Sequence, residues 1–186
     1  MPTWWFVRHG ESQAQTGEWD GPDHETPLSR LGEQQADSLA PAVAELPIQR
    51  VLVSPYLRAR QTAERAARLL SHEHQIVHDL RERVMGEEYR RRYYEPEVSI
   101  KLATWDFTPP NGESIVAAAG RAIRALAALD GPHNTIVFAH GRILAGVLTL
   151  LDAVDPSTGV EPIANCVPVI RKLPVGSWAS LAEKLE

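Results

Sequence analysis

Trp4-Trp5-Phe6-Val7-Arg8-His9-Gly10-Glu11-Ser12 sets four apolar residues against an abrupt polar turn. Four consecutive apolar side chains leave a strand no solvent-facing side, so the run reads as a strand buried on both faces. Arg8-His9-Gly10 is then the turn that leaves it. Three further stretches repeat this form. Val51-Leu52-Val53 ends at Ser54-Pro55, Ile76 to His78 leads into Asp79, and the β-branched run from Thr135 to Ala139 ends at His140-Gly141. The tail from Cys166 to Leu173 is expected to supply a late strand.

Helices separate these strands. Ser29 is a plausible N-cap, and Leu31, Ala36, Leu39, Val43 and Leu46 follow at helical spacing, with Pro41 expected to kink or split the helix. Leu57 to Leu70, Ser114 to Leu129 and Ile143 to Leu151 complete the set. Residues 11–28 read as an exposed loop. Residues 83–111, with Pro96, Pro109 and Pro110, read as an irregular insertion holding one short helix near Val98 to Thr104. Strands separated by helices need crossover connections, so the expectation is an α/β layer structure with a mostly parallel sheet.

Composition bounds the rest. At 186 residues the chain suits one domain, since domains run roughly 100–200 residues. It is 44% hydrophobic and 23% charged, enough apolar material to exclude a disordered chain. Cys166 is the only cysteine, which excludes an internal disulfide framework and points to a reducing compartment, the cytoplasm. The N-terminus lacks the basic start and long apolar stretch of a signal, and Ile143 to Leu151 is far short of the ~20 residues that span a bilayer. No membrane partner is expected. The 19 Lys and Arg against 24 Asp and Glu give a formal charge of −5, so nucleic acid is not an expected partner. A local anion site is still allowed.

In open α/β sheets ligands sit outside the carboxyl ends of the strands. The residues just beyond those ends are Arg8-His9-Gly10, Ser54-Pro55 with Arg58, Asp79 to Glu82, and His140-Gly141. Two guanidiniums offer forks of donors matched to a phosphoryl group. A neutral imidazole can attack phosphorus and hold it covalently. A second histidine can donate to the oxygens that carry charge in the transition state. A carboxylic acid can protonate a departing alkoxide and then deprotonate water. No carboxylate cluster suggests a magnesium pair, so neither a metal nor another cofactor is expected.

These residues resemble the histidine phosphatase superfamily, whose phosphoglycerate-mutase-like branch carries the signature found here as Arg8-His9-Gly10-Glu11-Ser12. Further blocks follow in the family's order. Thr26-Pro27-Leu28-Ser29 leads to Gly32 and Gln35-Ala36. Ser54-Pro55-Tyr56-Leu57-Arg58-Ala59 leads to Gln61-Thr62-Ala63. Leu80-Arg81-Glu82 precedes Gly86, Asn111-Gly112-Glu113-Ser114 opens a helix, and Ala139-His140-Gly141 ends a strand.

The resemblance implies a three-layer α/β/α sandwich over residues 1–186, with the insertion at about 83–111 covering the substrate. It further implies His9 as the phosphorylated nucleophile, Glu82 as proton donor, and Arg8, Arg58 and His140 around the phosphate. Gly141 would add an amide donor. Gln15 stands where many members carry Asn, as a further substrate contact. The family's usual string after the Gly86 position is replaced by Glu87-Glu88-Tyr89 and Arg90-Arg91-Arg92, a departure that concerns specificity.

The implied activity is hydrolysis of a small phosphomonoester. The alternatives are a phosphoglycerate mutase and a non-catalytic phospho-ligand binder. The mutases carry a longer insertion after the catalytic acid and a longer tail, whereas this chain stops soon after Trp178, which favours the phosphatase.

Other candidates have plainer readings. Glu11 and Ser12 are expected to brace the first loop. Glu11, Glu87, Glu88 and Glu113 compete with Glu82 for the acid's role. His72, His74, His78 and His133 read as solvated, and Asp23-His24-Glu25 as surface. Arg90-Arg91-Arg92 reads as a solvated face more readily than as an anion site. Trp19 and Trp105 either wall the pocket or fill the core.

Overall fold

The computed structural model describes residues 1–156 and 163–185. In chain order the elements are β1 (Thr3–Arg8), α1 (Gln13–Thr16), α2 (Arg30–Ala44), β2 (Arg50–Val53), α3 (Leu57–Ala66), β3 (His74–Ile76), α4 (Glu87–Arg91) and α5 (Pro96–Ala103). There follow α6 (Ile115–Ala127), β4 (Thr135–Ala139), α7 (Gly141–Leu151), β5 (Val169–Lys172) and α8 (Ser177–Glu183). The strands form one five-stranded sheet in the order β3-β2-β4-β1-β5. The first four strands are parallel, and β5 runs antiparallel along β1.

Alternation along each strand divides the core between the two faces. Trp4, Phe6, Leu52 and Val137 pack with α6, α7 and Trp178 of α8. Trp5, Val7, Val51, Val53, Ile136 and Phe138 pack on the other face with α2 and α3. The three-layer α/β/α sandwich is therefore as expected. Among the described residues no helix is long and apolar enough to cross a membrane.

Registry brings the functional loops level. Phe138 of β4 lies opposite both Val7 and Val53. Beyond the strands, His9 N donates to Ala139 O at 3.0 Å and Ser54 N to Phe138 O at 2.9 Å. The turns after β1, β2 and β4 thus emerge side by side at one edge. The loop after β1 is pressed against the start of α2. A Cβ on Gly10 would come within 2.4 Å of Gly32 O, and one on Gly32 within 1.9 Å of Glu11 O. Ser29 caps α2 by accepting from Gly32 N and donates its hydroxyl proton to Glu11 Oε1 at 2.7 Å. Glu11 is thus the expected brace.

Several local expectations are corrected. The third strand spans His74–Ile76, two residues earlier than expected, and a 3₁₀ turn at His78–Leu80 follows it. It is an edge strand with exposed side chains, so it lacks the apolar run that marks the central ones. Helix α2 passes through Pro41 unbroken, held by buried Ala36, Leu39, Ala40 and Val43. Helix α3 stops at Ala66 instead of Leu70, and β5 occupies only Val169–Lys172 of the expected tail. The loop at 11–28 contains α1 and a 3₁₀ turn at Asp23–Glu25. The insertion holds two short helices, α4 and α5, where one was expected.

Candidate active site

A cleft of about 620 Å³ opens over the strand ends. Its floor presents Arg8, His9 and Arg58, and its walls include Gln15, Trp19, Asp23, Glu82, Met85, Arg90, Tyr93 and Arg142.

His9 is buried, and its tautomer follows from its neighbours. Nδ1 lies 2.6 Å from Gly10 O, which can only accept, so Nδ1 carries the proton. Nε2 lies 3.1 Å from Arg58 Nε, which can only donate, so Nε2 offers its lone pair. Burial, then the Arg58 guanidinium and more weakly Arg8, hold the imidazole well below its ordinary pKa, against the Gly10 hydrogen bond. The ring is a neutral base with its nucleophilic nitrogen beside a cation.

Arg58 sits in the first turn of α3 and stacks over Tyr56, 5.2 Å from the ring centre. Its outer nitrogens reach Asp23. Nη1 donates to the Asp23 carbonyl at 2.6 Å and to Oδ1 at 3.2 Å. Nη2 lies 3.4 Å from Oδ2. A phosphoryl group entering the floor must share or displace this carboxylate.

Arg8 donates from Nη1 to Ile163 O at 2.9 Å, while its buried Nε has no partner among the described residues. Burial pulls its guanidinium below the ordinary value, with Glu82 the largest opposing influence. Gly141 makes room for it, since a Cβ there would come within 2.8 Å of Arg8 Nε. The ring of fully buried His140 lies 5.2 Å from that of His9. Its Nε2 meets Ser54 Oγ at 2.7 Å, and its Nδ1 has no partner among the described residues. Burial, Arg58, His9 and Arg8 in that order hold His140 well below its usual pKa.

Glu82 is fixed by backbone. Oε1 accepts from Arg83 N at 2.8 Å and Ile143 N at 3.1 Å, and Oε2 from Arg142 N at 3.2 Å. The carboxyl group thus sits at the N-terminus of α7, among amide donors that the helix leaves without intrahelical partners. Of its roughly four lone-pair positions, three are taken, leaving one to exchange a proton with a substrate.

The chain matches the histidine phosphatase superfamily (branch 1) over residues 4–174. It belongs to that superfamily. Among its relatives is an adenosylcobalamin/alpha-ribazole phosphatase of Salmonella typhimurium, 31% identical over 80% of this chain and 77% of that one. Another is a 2,3-bisphosphoglycerate-dependent phosphoglycerate mutase of Protochlamydia amoebophila, 27% identical over 89% of this chain and 92% of that one. A solved structure of a mycobacterial glucosyl-3-phosphoglycerate phosphatase superposes with a TM-score of 0.78 at 21% identity. It covers 91% of this chain and 92% of the other, and shows the shared fold.

In this member of the superfamily the residues singled out in the sequence fall into three groups. Arg8, His9, Arg58 and Glu82 line one cleft, and His140 lies against His9. Gln15 also lines the cleft, but its amide is engaged within the protein. Its Oε1 accepts from Ser12 N at 3.1 Å, and its Nε2 lies 3.4 Å from Asn165 Oδ1. Gly141 is not among the lining residues, and the contribution visible is the space it leaves for Arg8. Of the rival carboxylates, Glu11 is held by Ser29 and Glu113 by Arg121 at 2.6 Å. The arginine run divides. Arg90 and Arg91 line the cleft, while Arg92 pairs with Glu88, Glu95 and Glu97 at the surface. Trp19 lines the cleft and Trp105 is not among its lining residues.

Two contributors escaped sequence reading. Asp23, expected at the surface, holds Arg58. Asn165 donates from Nδ2 to the His9 carbonyl at 2.6 Å, and the next residue's amide, Cys166 N, donates to Arg8 O at 3.0 Å. Together they brace the backbone of the nucleophile loop from over 150 residues away. Burial pushes the Cys166 thiol up to about 12, away from the thiolate form.

Proposed function

We propose that the chain is a phosphatase that hydrolyses small phosphomonoesters through a phosphohistidine on His9. The observation that carries this reading is the fixed tautomer of His9, with an unprotonated Nε2 in the cleft floor whose lone pair accepts from Arg58 Nε. Nε2 attacks phosphorus as the ester P–O bond breaks. Glu82 gives its proton to the leaving oxygen. A water then attacks the phosphohistidine, Glu82 takes a proton from it, and phosphate and neutral His9 are regenerated. Arg8, Arg58 and His140 meet the charge on the phosphoryl oxygens, the electrostatic part usually worth most in such chemistry. Since the two guanidiniums supply the positive charge and His140 a neutral donor, chelation with EDTA should leave the rate unchanged.

The similarity to alpha-ribazole phosphatase supports hydrolysis. A second reading, phosphoglycerate mutase, draws on the Protochlamydia relative. Residues 83–111 form the outer wall, and under the phosphatase reading they cover the substrate while water still reaches the phosphohistidine. The test is a panel of phosphomonoesters, including both phosphoglycerates, assayed with and without bisphosphoglycerate. Phosphate release exceeding isomer interconversion is the expected result. Efficient interconversion with little free phosphate would replace the phosphatase reading with the mutase.

A further inference from the structure

Ser54 and His140 are both 0% exposed, and their side chains meet only through the 2.7 Å contact between Oγ and Nε2. The direction of that bond decides what His140 can do. A hydroxyl has one proton to give and two lone pairs to offer. One lone pair of Ser54 Oγ receives the amide of Tyr56 at 3.3 Å. The serine proton has one acceptor among the described residues, His140 Nε2. Were Nε2 protonated instead, the buried serine proton would be left without an acceptor, a costly arrangement. The neutral imidazole then holds its own proton on Nδ1, which is buried and has no partner among the described residues.

A buried N–H donor without an acceptor is rare in folded proteins and points to a ligand. The anion that His9 attacks would bring phosphoryl oxygens to this side of the site, since the two rings lie 5.2 Å apart. Resting on the reading of His9 as nucleophile, we infer that Ser54 is a positioning residue: its hydroxyl fixes the Nδ1–H tautomer of His140, so that His140 binds the phosphoryl group as a neutral donor. Burial and the neighbouring Arg58 and Arg8 keep the ring neutral, consistent with this role. The placement follows from the sheet. Ser54 leaves β2 and His140 leaves the adjacent β4, and Ser54 N on Phe138 O sets their level.

The experiment reads the tautomer directly, by two-bond ¹H–¹⁵N correlation on protein labelled at histidine, and binding by titration with vanadate. Wild type should show a protonated Nδ1 and a bare Nε2 on His140. Ser54→Ala should redistribute the proton towards Nε2 and weaken vanadate roughly tenfold or more, the scale of one hydrogen bond to a charged acceptor. Ser54→Cys, which keeps a weak donor of similar size, should restore part of both. In a His140→Ala background the serine change should cost vanadate affinity nothing further. A proton on Nε2 in the wild type would overturn the inference, as would unchanged tautomer and affinity in Ser54→Ala. An equal serine effect without His140 would overturn it too, by showing a merely structural role. Failure of the His9 reading would appear separately, as full turnover by His9→Ala, because the tautomer is read without turnover.

Discussion

The floor of the cleft and its outer wall are built by opposite means. The floor hangs on strand ends. Arg8 ends β1, His9 and His140 follow β1 and β4, Arg58 lies in the first turn of α3, and backbone hydrogen bonds between strands set their level. Much of the wall belongs to residues 83–111, whose short helices are fastened by side chains, and the 11–28 loop adds Trp19 to it. Arg83 is buried and donates to three carbonyls, Glu113 at 2.6 Å, Leu102 at 2.6 Å and Phe107 at 2.8 Å. Helix α4 adds exposed pairs in which Glu87 serves both Arg90 and Arg91. Those pairs hold the Glu87 carboxyl down to about 2, yet exposed ion pairs contribute little to stability. A floor set by backbone hydrogen bonds holds the reacting groups in the register of the sheet. A wall made of side-chain ties can be rebuilt for another substrate without disturbing the chemistry beneath it.

If that division holds, floor variants should slow every substrate and wall variants should discriminate between them. The largest effect is expected at Glu82, where the two regions meet. Glu82→Gln should slow esters of poor leaving groups, such as sugar phosphates, by about 10²–10⁴-fold. p-Nitrophenyl phosphate leaves without a proton and should suffer much less in single-turnover phosphorylation. Equal slowing of both would remove Glu82 as the acid and direct attention to Asp23, the other carboxylate that reaches the floor through Arg58.

Arg58→Lys keeps the charge but loses the fork and the Nε donor to His9. Turnover of all esters, activated or not, should fall by about 10²–10³-fold, the scale of one lost transition-state donor. A loss confined to one substrate would break the division between floor and wall.

The wall should answer differently. Arg83→Met strips partners from three carbonyls and should lower stability by about 1–3 kcal/mol, measured by urea denaturation. Below the unfolding transition it should raise KM for bulky esters more than for p-nitrophenyl phosphate. Trp19→Ala and Arg90→Ala should shift KM by about tenfold or less, with kcat for p-nitrophenyl phosphate nearly unchanged; these are losses of uniform binding.

A further prediction is a pH slope. His9 and His140 are held well below the ordinary histidine value of 6.5. The unfolded chain therefore binds more protons than the folded one below pH 6.5. Stability from these two residues is present above that pH and declines as pH falls towards their folded values, by up to about 1.4 kcal/mol per unit for each. Replacing either with a neutral residue should flatten the slope of urea-derived stability between pH 6.5 and 5.

Legibility in the sequence followed the same division. The central strands announced themselves because both faces are buried and the residues are continuously apolar. Everything placed by their ends, Arg8, His9, Arg58 and His140, could be found by looking just past them. β3 was misplaced by two residues because an exposed edge strand, His74-Gln75-Ile76, carries no such signal. Helix α5 is the short helix expected near Val98 to Thr104, whereas α4 and α8 are too short to show a convincing period. Asn165 and Asp23 matter through contacts made across the fold, and a single sequence has no local mark for those.

The central claim is a covalent phosphohistidine on His9, and rapid quenching of a single turnover with a ³²P-labelled monoester tests it most directly. The expected result is a protein-bound label that is stable in base and labile in acid, maps to the peptide carrying Arg8-His9-Gly10, forms no more slowly than phosphate is released, and is absent from His9→Ala. Turnover at the wild-type rate in His9→Ala, or label on any other residue, would contradict it.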